Sequence, residues 1–228
     1  MQREKRGTLP LEEDGFDKLS PERQSAIATA AIETFGKGSY KEASTDEIAR
    51  KAGISKGLLF FYCKNKRQLY LHTMEYLYEK VVDMVVDDAF WQIDDFFELL
   101  LYTARSKGSL LERFPWALSF SIRAFYPDHR DIKDTMNRWN QEQIEIMFER
   151  FFTNVDWSRF RDEVEPKHVM NMLIWTADGW MHQRQASQEP VRLDELMDEF
   201  TLWLNILRSW AYKPEFLAEP LGAQAGIA

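Results

Sequence analysis

The chain has 228 residues, 45% of them apolar, with 8 Trp, 8 Tyr and 16 Phe. That is ample material for a packed core and excludes disorder on a large scale. Its single cysteine, Cys63, excludes an internal disulfide, and a net charge of −8 argues against a protein that coats nucleic acid indiscriminately.

Charge is unevenly placed. Between Ser20 and Tyr70 nine Lys/Arg face five Asp/Glu, whereas residues 71–228 carry a net −11. A basic head on an acidic body suits a polyanionic partner at one end only. No stretch approaches the roughly 20 apolar residues of a membrane span, and the first residues lack the apolar middle of a signal peptide. A soluble, cytoplasmic protein without a membrane partner is expected.

Residues 1–19 mix charges with Gly and Pro without period and read as a flexible arm. Ser20 and Pro21 then mark a helix start, Ile27, Ala31 and Phe35 line one face, and Gly38 is expected as a left-handed cap. In "ASTDEIARKAGIS", Ser44 and Glu47 have capping-box spacing, Ile48, Ala49 and Ala52 point inward, and Gly53 ends the second helix. Ser55 caps a third helix that runs to about Cys63 with Ile54 and Leu59 inward. Asn65 caps a long fourth from Lys66 towards Val86. Helical periodicity continues over 95–107, 115–126, 129–153, 166–186 and 192–212, separated by Pro and capping Asp. Residues 214–228 lack period and read as a frayed tail. The expected fold is all-α with about nine helices.

Three short helices, the second and third joined by "AGIS", are the layout of a helix-turn-helix, in which one helix enters the major groove. Over about residues 24–70 the chain resembles the TetR (TetR/AcrR) family of bacterial transcriptional regulators. The resemblance rests on the Ala-rich helix ending in "F…G.Y", the "ST.EIA..AGISKG.L" core, and "KNK..L" opening the fourth helix. It implies a DNA-binding domain over 20–68 and an effector-binding and dimerisation domain over 69–213.

The resemblance also implies roles. Ser44 and Thr45 stand where the family's second helix meets a phosphate, as free amides at a helix N-terminus attract anions. Lys56, Gly57, Leu58 and Phe61 hold the positions that face base edges, flanked by Ser55. Lys66, with Lys64 beside it, stands at a further phosphate contact. Three residues depart from the family pattern: Phe60 for the usual Tyr, Tyr62 for the usual His, and Cys63 for a larger apolar residue. Cys63 reads as a small buried hydrophobe rather than a redox switch. Leu58 and Phe61 either pack inward or press on thymine methyl groups, and Phe60 either packs or lies on the DNA face. Asp46, close to that face, repels phosphate unless it only caps.

A unit this small reads few base pairs, so two copies on a palindrome are expected. Leu196, Phe200, Trp203, Leu207 and Trp210 step by four and three as a seam. Val169, Leu173, Thr176 and Trp180 form a second stripe, with Gly179 allowing close approach. The two stripes resemble the family's four-helix dimer face; the alternative is a core within one chain. Between head and seam, an effector pocket is expected from Phe97, Leu101, Trp116, Phe120, Trp139, Gln143, Met147 and Trp175, which suit a greasy or aromatic ligand. Arg123, Asp178 and His182 are candidate polar contacts, although each pocket candidate taken alone reads more readily as core.

Enzyme chemistry finds no footing. There is no glycine-rich phosphate loop, nucleophile elbow or H-E-x-x-H, and His72, His129, His168 and His182 lack metal-ligand spacing. No metal or cofactor is expected. The reading is a ligand-responsive repressor that binds operator DNA as a homodimer and is released by an unidentified small molecule. The alternatives are a helical ligand-binding or scaffolding protein with a weak or lost DNA head, and an activator without an effector.

Overall fold

A computed structural model of the chain describes residues 9–12, 15–187 and 192–222, with backbone alone at 109–113 and 185–186. Among the described residues there are nine α-helices and no strand beyond an isolated bridge between Phe160 and Tyr212. The helices are α1 (Pro21–Lys37), α2 (Thr45–Lys51), α3 (Lys56–Cys63), α4 (Lys66–Val85), α5 (Phe96–Arg113), α6 (Ala117–Phe125), α7 (Arg130–Arg150), α8 (Pro166–Ala186) and α9 (Leu193–Ala211). None is long and apolar enough to cross a membrane.

The chain divides into two compact units. The first comprises the described residues up to Met84 with Ser109–Phe151, and the second Val85–Gly108 with those from Phe152 onward. In the first, an aromatic cluster joins α1, α4 and α6: Phe35 lies 5.0 Å from Tyr70 and 6.0 Å from Phe120, and Tyr70 lies 5.2 Å from Phe120. Edge and stacked contacts of this kind add to the burial of three large rings. Arg67 on α4 donates to the carbonyl of Asp131 and to the Thr135 hydroxyl, both at 2.9 Å, which fastens α7 to α4. In the second unit, Phe97 and Phe160 each meet Tyr212 at 5.0 Å, and the Tyr212 hydroxyl accepts from the amide of Phe96.

Local signals placed the first helices correctly. Ser55 Oγ accepts from the amide of Leu58 at 3.1 Å, and Asn65 Oδ1 from that of Gln68 at 2.9 Å. Ser44 Oγ accepts from the amide of Glu47 at 3.3 Å, but the Glu47 carboxylate pairs with Lys51 at 2.7 Å, so half of the capping box is made. Gly38 is not left-handed: its φ of −136° and ψ of 175° are extended backbone. Gly53 does carry that conformation, at φ +70°, and nothing lies within 4 Å of a Cβ placed there. Strain alone therefore sets the cost of a side chain at this turn, and Gly53→Ala is expected to destabilise the protein by about 1–2 kcal/mol in urea unfolding.

Both termini are more tightly held than their composition suggests. Within the expected arm, Leu9, Phe16 and Leu19 are buried, and Gln68 exchanges hydrogen bonds with Glu12. Residues 1–8 and 13–14 lie outside the described residues. Within the expected tail, Pro214–Phe216 forms a 3-10 turn, and Arg208 donates to the carbonyls of Phe216 and Glu219 at 2.8 and 2.9 Å. Residues 223–228 lie outside the described residues. Scattered apolar and hydrogen-bonding residues pinned these segments without any period to announce them.

Candidate nucleic-acid interface

Helix α3 has a buried side and an open side. Leu59 and Cys63, four apart, are fully buried and fix the rotation of the helix against α1 and α2. The opposite side then presents Lys56, Gly57 and Phe61, with Phe61 72% exposed. Leu58 and Phe60 are half-buried. Leaving a phenyl ring that open on an eight-residue helix is unfavourable in the isolated chain, and it is accounted for if a partner covers it. No atom other than Ser55 Oγ comes within 4 Å of a Cβ placed on Gly57, so backbone there can approach a ligand closely.

The polar groups around α3 are poised rather than free. Ser44 and Ser55 accept amide hydrogens through Oγ, which leaves each hydroxyl proton available to a phosphate oxygen. Lys56 Nζ lies 2.8 Å from Asp46 Oδ2, both well exposed. Asp46 thus holds Lys56 across the turn instead of only capping α2. Lys66 is half-buried, donates to the carbonyl of Lys41 at 3.1 Å and lies over the Tyr40 ring at 5.1 Å; burial pushes its ammonium pKa down. Lys64, at φ +51°, reaches Glu12 Oε2 at 3.3 Å.

Tyr62, which the resemblance places among the DNA contacts, turns toward the N-terminal residues. Its carbonyl accepts from the amide of Gly15, and a Cβ on Gly15 would come within 2.9 Å of its ring. The buried Phe16 segment draws this ring against the N-terminal residues, a contact invisible to the helix-turn-helix pattern. Thr45 is half-buried beside Ser44.

Breaking the Lys56–Asp46 pair separates attraction from self-neutralisation. Asp46→Asn is expected to tighten binding to any duplex several-fold at low salt, while Lys56→Ala weakens it and flattens the salt dependence by about one phosphate contact. Fluorescence anisotropy across a salt series reads both slopes; equal slopes in all three proteins would remove Lys56 from the interface.

The segment that contains α2, the glycine turn and α3 is also the one that resembles known proteins in sequence. Residues 27–73 match the sequence profile of the bacterial regulatory proteins of the tetR family. Over this stretch, 47 of the 228 residues, the chain is similar to that family. The uncharacterized HTH-type transcriptional regulator YuxN of Bacillus subtilis is 30% identical to it over 66 residues, which are 29% of this chain and 23% of YuxN. The fold extends the likeness. The SmeT–triclosan complex superposes with a TM-score of 0.65 at 19% identity, over 89% of this chain and 99% of SmeT. FadR from Bacillus subtilis, in complex with stearoyl-CoA, gives 0.63 at 17%, over 81% and 97%.

The expected effector residues fall into both units. In the first, Phe120 is spent on the Phe35–Tyr70 cluster, Trp139 is buried edge-on to Tyr78 at 5.5 Å, and Gln143 and Met147 are half-buried. Lys37 lies 5.0 Å over the Trp116 ring, and Arg123 Nε donates to the carbonyl of Gly36. In the second, Phe97 and Leu101 are core and Trp175 is 65% exposed. Asp178 lies 3.2 Å from His182. One feature escaped the sequence reading: Trp139 Nε1 and the Tyr70 hydroxyl are buried without a hydrogen-bond partner. Only packing reveals an unmet donor.

The expected dimer seam is largely internal. Val169, Leu173 and Leu207 are buried within the chain, and Trp180 meets Trp203 at 6.3 Å. Leu196, Phe200 and Trp203 are half-buried, Thr176 is exposed, and Trp210 is 48% exposed. The a/d spacing found the face on which α8 and α9 pack together. The large apolar residues left open are Met172 and Trp175 on α8, and Leu202, Ile206 and Trp210 on α9.

Proposed function

We propose that this regulator is a ligand-responsive repressor that binds a palindromic operator as a homodimer and is released by a small apolar or aromatic effector. The observation that carries DNA reading is the open side of α3, with Lys56, Gly57 and a 72%-exposed Phe61 held outward by fully buried Leu59 and Cys63. Lys56 and Lys66 supply phosphate charge, Ser44 and Ser55 hydroxyl donors, and Phe61 a surface for thymine methyl groups. Selection of bound sequences from random DNA tests the reading. A symmetric motif is the expected result, and recovery of no enriched motif overturns it.

Pairing of two copies rests on Met172, Trp175, Leu202, Ile206 and Trp210, an apolar surface on helices that pack against each other. The exposed Gly179 leaves backbone open for close approach. Ile206→Glu should leave the helices intact and shift sedimentation to the monomer, with operator affinity falling at least tenfold. An unchanged dimer would place the interface elsewhere.

The effector reading draws on the unmet Trp139 and Tyr70 donors within an otherwise aromatic core. An acceptor on an apolar ligand would satisfy either donor. SmeT is seen with triclosan and FadR with stearoyl-CoA. Release then follows from an effector that binds better to a conformation unsuited to the operator.

A further inference from the structure

The second unit carries a cleft of about 270 Å³ that DNA reading does not use. Asp95, Glu98 and Arg159 lie on its inner side, and Arg208, Glu215 and Glu219 complete it with Phe216. Four carboxylates meet two guanidinium groups. Their terminal nitrogens are committed, Arg159 to Asp94 at 2.6 Å and Asp95 at 3.0 Å and Arg208 to the carbonyls of Phe216 and Glu219, while the Nε of each is buried without a hydrogen-bond partner among the described residues.

Glu98 is the distinctive member. The residue is only 2% exposed, Oε1 accepts from the amide of Gly222 at 2.5 Å, and Oε2 has no hydrogen-bond partner among the described residues. Burial pushes its carboxyl pKa up, as expected where a negative charge lacks a full set of donors. Buried polar atoms are almost always paired, so an oxygen left unmet beside a cleft calls for a donor that arrives with a ligand. Glu215 and Glu219, both exposed, extend the negative potential to the rim, and the Phe216 ring, which already faces the Arg159 guanidinium at 5.8 Å, lines the cleft beside them.

We infer that this cleft binds the primary ammonium group of a small organic cation, with Glu98 Oε2 accepting its N–H, Glu219 and Glu215 countering its charge, and Phe216 covering its stem. The strap from Lys213 to Gly222, held by Arg208 and Glu98, forms one wall, so occupancy also fastens the C-terminal segment.

Calorimetric titration of the full chain with butane-1,4-diamine at fixed ionic strength tests the site, with butane-1,4-diol and Mg²⁺ as controls. Saturable binding of the diamine alone is expected, weakened at least about tenfold by Glu98→Gln and several-fold by Glu219→Gln. Glu219 is exposed, so its variant reports on binding even if Glu98→Gln impairs folding. No saturable heat in the unaltered protein, equal affinity in both variants, or equal binding of Mg²⁺ or the diol would overturn the assignment.

Discussion

Phe61→Ala is expected to leave stability within about 0.5 kcal/mol of the parent yet weaken operator binding by about 1.5–3 kcal/mol. The two effects part because the ring is 72% exposed in the free chain and touches Tyr62 only edge-on, at 5.3 Å. Folding gains little from it, so its removal costs little. Binding is different, since covering the ring against base edges removes apolar surface from water. The loss should be confined to sites with thymine at the contacted position and should leave the salt dependence unaltered, because no charge is removed. Lys56→Ala should show the reverse pattern, weakening all duplexes and flattening the slope. Anisotropy titrations of operator and scrambled DNA distinguish them; an equal loss on both DNAs with Phe61→Ala would assign the ring to packing.

Gly36→Ala is expected to lower stability by about 2 kcal/mol and the melting temperature by about 4–8 °C. In most helices this change stabilises by about 0.5–1 kcal/mol, since alanine restricts the unfolded chain. Here a Cβ would stand 2.7 Å from the carbonyl oxygen of Trp116 and 2.9 Å from its Cβ. Neither is the end of a flexible side chain, so α6 itself must move away from α1. That displacement also stretches the contact of Arg123 Nε with the Gly36 carbonyl and loosens Phe120 from Phe35. Overpacking outweighs propensity. Thermal unfolding measures the balance, and a rise in melting temperature would show that α1 and α6 do not approach this closely.

The reading head was legible in sequence because its determinants are local. Ser44, Ser55 and Asn65 each cap the helix that starts one residue later, and the φ of +70° at Gly53 follows from the turn that "AGIS" has to make. Helical periodicity placed Leu59 inward, whereas Phe61 stood open between packing and the DNA face until the structure left it 72% exposed. The Lys56–Asp46 pair spans two helices, so its charges were visible but their meeting was not. Tyr62 was misplaced for the same reason, because Gly15 and Phe16 approach it from outside the pattern.

What the sequence determined by itself is therefore the helix spans, most of their caps and the inward place of Leu59, all set by interactions within four residues. The tertiary structure decided which neighbour each apolar face meets. A period of three and four marks a face on α9 without saying whether its partner is α8 or a second chain, and packing turned Leu207 inward while leaving Ile206 and Trp210 open. The same choice buried Phe97 and Phe120 in cores, left the Trp139 and Tyr70 donors unmet, and drew the Lys213–Gly222 strap over Glu98. Those outcomes depend on residues distant along the chain, and only their arrangement in space brings them together.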